Sequence, residues 1–417
     1  MQHYMLLSRN LLYTGLTRAK QLAILVGPTK AIGFTVKRML DRQRYTALAD
    51  RLTDETKGKG VPSMDAKRHA WASLEHLNPL LHDLVQLFER SFPGRIRSCY
   101  LGGSYSDGTA VGHTSSPNAS DMDLFVIFRG MLSEDESATF QRLVAECQRN
   151  SPVQVDAQAY SESDLVRPPR KDATQASFVN ALIREASVLV AGEDIRADLA
   201  PIPFERYVLD VIESGVFHLG IARQRESISY PLVTPLIFPL TYPDPTGEFY
   251  GYDVVPARPD APRGTRVLVA LTAWIATLIL ALETGRHAGQ KSQSIQLCQA
   301  YLPDDQRVRL AASIYSTCKG AWGYVLPTEA KDREQLRSLC RDTLDLENEY
   351  LRLCRTSVLA ELQQGGEDEK RQAIRILQSV AYGDDEMIAT LRTLEHDTDE
   401  EVRRSAAKAL KSAVRTF

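Results

Sequence analysis

Two aspartates, one residue apart, stand at the start of an apolar run. Asp121 and Asp123 begin "DMDLFVIF", whose apolar residues predict a buried strand. Side chains two positions apart on a strand point to the same face, so these carboxylates should project together and repel each other. The pair therefore predicts a positively charged ligand, and a hard divalent cation is the kind that carboxylate oxygens bind.

A third acid is predicted to join this pair. Asp156 lies in "VQVDAQAY", which predicts the next strand, and side-by-side pairing of the strands would bring it to the same edge. Three carboxylates in this arrangement can hold two Mg²⁺ ions, which bind the entering and leaving oxygens of an in-line phosphoryl displacement. We therefore expect Asp121, Asp123 and Asp156 to be both metal ligands and catalytic residues.

A glycine-rich turn precedes the aspartates. In "LGGSYSDG", Gly102, Gly103 and Ser104 follow the predicted strand "IRSCYL". Glycines let the backbone come close to a ligand, and the Ser104 hydroxyl with nearby N–H groups can bind phosphate oxygens if "YSDGTAV" begins a helix. The turn thus predicts the phosphate-binding half of a nucleoside triphosphate site.

The elements that must position these residues predict a small α+β domain with a mixed sheet. A long amphipathic helix is expected between Met64 and Phe92, ahead of the first strand. After the aspartates, "DESATFQRLVAECQRN" predicts a helix, "VQVDAQAY" a strand and "QASFVNALIREASVLVAG" another helix. We assign 61–199 to this domain and 1–60 to a separate N-terminal segment that ends in a polar linker.

The rest of the chain predicts mainly helices. A helical domain is expected over 200–360 and a helical tail over 361–417, where "RQAIRILQS" and "RSAAKALKS" form a weak repeat. We interpret the tail as HEAT-like, packed on the preceding helices and able to dock a protein partner. The apolar run Val267–Leu282 is shorter than the ~20 residues that a bilayer span needs, so it predicts a buried core helix and no membrane contact.

Composition and charge are those of a globular protein. The chain has 417 residues, of which 43% are hydrophobic, and its net charge of −3 gives no general sign of nucleic-acid binding. Its six cysteines include no CxxC pair and no signal peptide is recognised, which predicts reduced thiols and a cytoplasmic location. Only the basic first 60 residues leave DNA processing open as an alternative.

Together the motifs resemble the nucleotidyltransferases of the DNA polymerase β superfamily, whose signature is a hydrophobic-Gly-Ser turn, then Asp-x-Asp, then a third acid. Within that superfamily, "GSYSDG" is similar to the turn of the aminoglycoside adenylyltransferases, and "GQKSQSIQLCQAYLP" resembles their lysine-bearing helix followed by Leu-Pro. The stretch "VLVAGEDIRADL" resembles the segment that follows the sheet. The resemblance covers roughly 95–350 and implies that Asp121 and Asp123 ligate Mg²⁺ while Asp156 completes the site or acts as base.

The same resemblance implies the nucleotide contacts. Gly103 and Ser104 would hold the phosphates of ATP or another nucleoside triphosphate, Lys291 would reach them, and Tyr315 would be a further contact. The implied activity is transfer of a nucleoside monophosphate, most simply AMP from ATP, to a hydroxyl on a small molecule, a protein or an RNA. The loop "GHTSSPNA", which contains His113, is longer than in the adenylyltransferases, so the acceptor stays unidentified. A catalytically inert, transferase-like interaction protein is the alternative.

The N-terminal segment carries a separate resemblance. Over 1–52 the chain is similar to the C-terminal end of RecD-like superfamily 1 helicases, and "LLYTGLTRAK" resembles their motif VI, with Arg18 at the position of the arginine that contacts the γ-phosphate. No G-x-x-x-x-G-K-[ST] loop that could bind ATP for a motor occurs in the sequence. We interpret the segment as a helicase remnant with a vestigial Arg18, or as part of a longer fused frame.

Overall fold

The structure is a computed structural model that describes residues 78–111, 120–151, 153–166, 176–223, 228–230, 247–254, 263–382 and 384–415. Arg18, the loop that contains His113, and the N-terminal segment with its polar linker lie outside these residues. So does the first part of the helix predicted from Met64. The domain boundaries proposed from the sequence stay predictions.

A four-stranded mixed sheet carries the glycine turn and the three aspartates. Strand β1 (Ile96–Gly102) pairs antiparallel with β2 (Met122–Phe128) and with β4 (Val188–Gly192), and β2 pairs parallel with β3 (Val155–Ser161). The strand order is β3-β2-β1-β4. The α+β class and the strands predicted around both motifs are therefore confirmed.

Five helices of the described residues belong to the sheet region: α1 (Asn78–Ser91), α2 (Gly103–Ser106), α3 (Glu134–Asn150), α4 (Glu162–Leu165) and α5 (Ala176–Ala186). The start of α3 is set by a capping box, because the Ser133 side chain accepts from the Glu136 N–H while the Glu136 carboxylate accepts from the Ser133 N–H. Apolar side chains of α1 and α3 pack on one face of the sheet, where Phe88, Phe128 and Phe140 are fully buried.

One predicted element is wrong at its C-terminal end. The stretch "QASFVNALIREASVLVAG" was expected to be a single helix, but α5 ends at Ala186 and β4 follows. The branched side chains of Val188 and Val190 favour a strand. Gly192 ends the strand with a φ of 82° and lies so close to the Arg97 carbonyl that a Cβ would overlap it, which requires glycine at this position.

The helical region follows: α6 (Phe204–Arg223), α7 (Arg266–Thr284), α8 (Lys291–Tyr301), α9 (Gln306–Ile314), a π-helical segment (Tyr315–Ala321) and α10 (Ala330–Gln364). One helix of the described residues, α7, is long enough and apolar enough to cross a membrane. Its side chains from Val267 to Ala281 are nevertheless buried inside the protein. The prediction of a buried core helix is therefore confirmed. The cytoplasmic location stays a prediction.

The tail consists of α11 (Glu367–Ser379), α12 (Asp385–Leu394) and α13 (Glu400–Arg415). It packs on the preceding helices as predicted: the buried Gln372 amide on α11 donates to Asp210 (2.7 Å) and to Glu213 (3.1 Å) on α6. A short parallel pair of β5 (Ile228–Tyr230) and β6 (Val380–Tyr382) adds a second link. The HEAT-like character of the tail stays a prediction.

Candidate active site

The three aspartates meet at one edge of the sheet. In the parallel ladder of β2 and β3, Asp123 is the register partner of Asp156, and Asp121 lies just before β2. One carboxylate oxygen from each of the three residues lies within 4.8 Å of the others. The convergence predicted from strand pairing is therefore confirmed.

Crowded negative charge marks this edge. Burial, and next the repulsion from Asp121, raise the pKa of Asp123 to about 8. The same causes raise the pKa of Asp156, while Lys291 and Arg266 act in the opposite direction on both carboxyls. A bound cation would relieve this repulsion, and a set of converging carboxylate oxygens suits a hard divalent ion such as Mg²⁺.

An arginine already contacts one of the acids. Arg266, the first residue of α7, donates from Nη2 to Asp121 Oδ1 at 2.5 Å, and its Cζ lies 5.8 Å from the centre of the Tyr324 ring. The helical region therefore places a positive charge at the edge of the sheet where the three aspartates meet. Sequence reasoning missed Arg266, although a basic residue directly before a long apolar helix was a visible signal.

The glycine turn is built against the aspartates. Gly102 is the register partner of Asp123, and a Cβ on Gly102 would lie 2.7 Å from Phe125 Cε2. Gly103 has a φ of 62°, and a Cβ there would overlap the carboxylate of Asp123. Glycine at position 103 thus allows the backbone of the turn to lie directly against the Asp123 carboxylate.

Ser104 lies in a helix that is shorter than the predicted one and begins two residues before it. Helix α2 starts at Gly103 and has only four residues, where a helix was expected from "YSDGTAV". The Ser104 side chain is half-buried and lines the cavity described next. Its hydroxyl has no hydrogen bond to any other described residue, so it is available to a ligand.

A cavity of about 450 Å³ contains every site residue predicted from the sequence. Its lining includes Gly103, Ser104, Asp121, Asp123, Asp156, Lys291 and Tyr315. The first five come from the sheet region, and the last two lie at the starts of α8 and the π-helical segment. Lys291 is close enough to lower the pKa of both Asp123 and Asp156.

A hydrogen-bonded cluster joins the turn to the start of α8. Asp107 Oδ2 accepts from Gln290 Nε2 (2.9 Å) and from the Ser292 hydroxyl, and its Oδ1 accepts from the Thr109 N–H (2.9 Å) and hydroxyl (2.7 Å). Gln290 and Ser292 flank Lys291, so these hydrogen bonds hold the Lys291 backbone at the start of α8 in a defined position. Asp107 is part of the "GSYSDG" motif, but sequence reasoning gave it no role.

A second lysine lies in the same cavity. Lys319, on the π-helical segment, is only 5% exposed, and its Nζ donates to Thr109 Oγ1 (3.1 Å) and to the Tyr315 hydroxyl (3.0 Å). Burial lowers its pKa to about 8, against the attraction of Asp107, Asp121 and other acids. The sequence carried no signal for Lys319, because nothing local distinguishes a buried lysine from a solvated one.

Comparison with known proteins adds no relative. A scan against protein-family models finds no match, and a search of curated proteins finds none either.

Proposed function

We propose that the chain is a metal-dependent nucleotidyltransferase that moves a nucleoside monophosphate, most simply AMP from ATP, to a hydroxyl acceptor. One observation carries the proposal: Asp123 lies against Gly103 of the phosphate-type turn on one side and beside Asp156 on the other. A turn suited to phosphates and a set of carboxylates suited to a cation are thereby joined in one cavity.

The proposed reaction forms one bond and breaks another at the α-phosphorus. The acceptor oxygen bonds to the α-phosphorus, the bond from this phosphorus to the oxygen bridging to the β-phosphate breaks, and pyrophosphate leaves. The hydroxyl proton goes to a carboxylate or to water. When bound, Mg²⁺ would supply charge neutralisation at the phosphate oxygens; Asp121, Asp123 and Asp156 would hold it.

The positive side chains of the cavity have a matching role. Lys291 and Lys319 would bind phosphate oxygens of the triphosphate, where a positive charge favours the transition state as charge moves onto pyrophosphate. Tyr315 would support Lys319 through the hydrogen bond between them. The Ser104 hydroxyl would donate to a phosphate oxygen. Asp156, with its raised pKa, is suited to take the acceptor proton.

The test is production of AMP-containing product from ATP labelled at the α-phosphate. The purified full chain is incubated with Mg²⁺ and each labelled nucleoside triphosphate, with and without a cell extract, and the label is sorted into protein, RNA and small molecules. We expect metal-dependent pyrophosphate release and label in one acceptor fraction. Saturable nucleotide binding without any pyrophosphate release would instead support the inert, transferase-like interaction protein.

A further inference from the structure

An exposed aromatic side chain faces the cavity beside the proposed nucleotide site. Phe217 on α6 is 65% exposed and lines the cavity, and Ile221, one helical turn later, lines it too. A large apolar side chain in open solvent forfeits the free energy that burial would give. Together the two residues form an uncovered apolar platform.

His218 adds a polar group with a defined orientation next to this platform. Its Nδ1 lies 2.7 Å from the Ser214 carbonyl oxygen, which can only accept, so Nδ1 carries the proton and Nε2 keeps a lone pair. Nε2 has no hydrogen bond to any other described residue. Burial and the charges of Lys291 and Arg266 lower the pKa of His218 to about 4, so the ring is neutral near pH 7 and accepts a hydrogen bond.

The cavity is lined by both charged and uncharged residues. The lysines of the cavity come from α8 and the π-helical segment, where the triphosphate would bind. The other described lining includes the amides of Gln148 and Gln154 and the aliphatic Val269 and Ala270. Apart from the three aspartates assigned to the metal, no carboxylate occurs among the lining residues that the structure describes. Arg266 also lines the cavity but is paired with Asp121, and the lysines would bind the triphosphate, so the uncharged part of the lining suits a neutral molecule with an apolar face.

We propose that Phe217, His218 and Ile221 form the acceptor subsite, and that the acceptor is an uncharged ring compound bearing a hydroxyl, of the sugar or nucleoside class. A ring face packs on the Phe217 ring and Ile221, while a hydroxyl other than the attacking one donates to His218 Nε2 and leaves the proton of the attacking hydroxyl to Asp156. This contact orients the acceptor for attack on the α-phosphorus with pyrophosphate as leaving group. The inference rests on the proposed nucleotidyl transfer.

The experiment compares acceptors of different shape and charge. ATP labelled at the α-phosphate and Mg²⁺ are mixed with the full chain and one probe: methyl β-glucopyranoside, uridine, glycerol as a ringless neutral polyol, or kanamycin as a polycation. Release of AMP with water as acceptor is measured in each sample. The readout is the ratio of probe-dependent product to this AMP, and a failure of nucleotidyl transfer itself shows as neither AMP nor probe product in any sample.

We expect one of the ring probes to give the highest ratio, and the glucoside and uridine arms identify the class. Phe217→Ala should lower kcat/KM for that probe about tenfold, mainly through KM, and Phe217→Tyr should keep most of it. His218→Ala should lower it similarly, whereas His218→Gln, whose amide oxygen can replace Nε2 as acceptor, should restore part. Met131→Ala, at a residue that is 60% exposed and does not line the cavity, is the control expected to match the wild type.

Three outcomes would overturn the inference. The first is a ratio for glycerol or kanamycin equal to or above those of both ring probes. The second is AMP release without stimulation by any probe. The third is an unchanged KM for the ring probe in Phe217→Ala.

Discussion

Gly103 and Asp123 are in direct contact across the start of the sheet: a Cβ on Gly103 would overlap the Asp123 carboxylate oxygen. A side chain at position 103 would therefore displace one of the three acids. The turn residues thus define where the carboxylate lies, and the phosphate-binding and metal-binding halves of the proposed site share one geometry.

Gly103→Ala should displace Asp123 and abolish metal-dependent transfer. Gly108→Ala is the matched control, since Gly108 has a similar positive φ (73° against 62°) but open space around a Cβ. Both variants should lose about 1 kcal/mol or somewhat more of unfolding free energy from the positive φ. Only Gly103→Ala should lose the thermal stabilisation by Mg²⁺. Equal loss of this stabilisation in both variants would contradict the role given to the contact.

Lys291→Ala should weaken ATP binding about tenfold and lower turnover at least as much, because its side chain lines the cavity, acts on the pKa of Asp123 and Asp156, and would contact the phosphates. Lys291→Arg should restore binding only in part, since the planar guanidinium of arginine does not have the shape of the compact lysine ammonium. Kd for Mg²⁺-ATP and the rate of pyrophosphate release check this. The exposed Lys331 provides the control: Lys331→Ala should leave both unchanged, and an equal effect in the two alanine variants would refute a local role.

How much the sequence predicted depended on whether the signal was local. The spacing of Asp121 and Asp123, and of the glycines before them, is decided within a few residues of chain, so the strand and turn were predictable. Asp156 required only the assumption that neighbouring strands pair. These predictions concern residues within one sheet.

The residues contributed by packing between distant segments were not predictable in this way. Lys319 is functionally distinctive because a π-helical segment buries it in the cavity, and no property of its neighbours in sequence indicates that. Strand β4 was not predicted because its apolar residues follow those of α5 after a single residue, so the local pattern does not separate the helix from the strand. Resemblance alone gave Lys291, and the fold brings it to the acids.

Asp107→Asn should loosen the junction between the turn and α8. An asparagine NH₂ would face a donor from Gln290, Ser292 or Thr109, so at least one hydrogen bond is lost, and we expect about 1–3 kcal/mol of destabilisation. Asp305, which accepts from backbone N–H groups at the start of α9 outside the cavity, is the control. Both asparagine variants should melt earlier, but only Asp107→Asn should raise the Kd for Mg²⁺-ATP. An unchanged Kd would show that the junction does not position Lys291.

Lys319 should make ATP binding dependent on pH. Its pKa of about 8 in the free protein means that the charge which attracts phosphate is lost as the pH rises through 8, and affinity should fall by up to about tenfold per pH unit above that. The free energy of unfolding should instead increase with pH in this range. Between about pH 8 and pH 10.5 the unfolded chain holds the Lys319 proton and the folded chain does not, so raising the pH favours the folded state.

The measurement is the Kd for Mg²⁺-ATP from pH 7 to 9.5 in wild type and in Lys319→Arg, which stays charged throughout. Asp123 titrates in the same range in both proteins, so the difference between the two profiles is the readout. We expect the arginine variant to lose the decline above pH 8. Parallel profiles would show that Lys319 does not contact the nucleotide.

The three aspartates should bind a divalent cation for a nucleoside triphosphate, and the shift in melting temperature on adding Mg²⁺ with ATP tests this most directly. Because the pKa of Asp123 is raised to about 8, its carboxyl is mostly neutral at pH 7 without metal, and the neutral Asp123→Asn variant should then melt no lower than the wild type. Asp345→Asn, at an exposed residue of α10, is the control. We predict that wild type and Asp345→Asn gain stability from Mg²⁺-ATP and that Asp123→Asn gains little or none. An equal gain in all three proteins would contradict the claim.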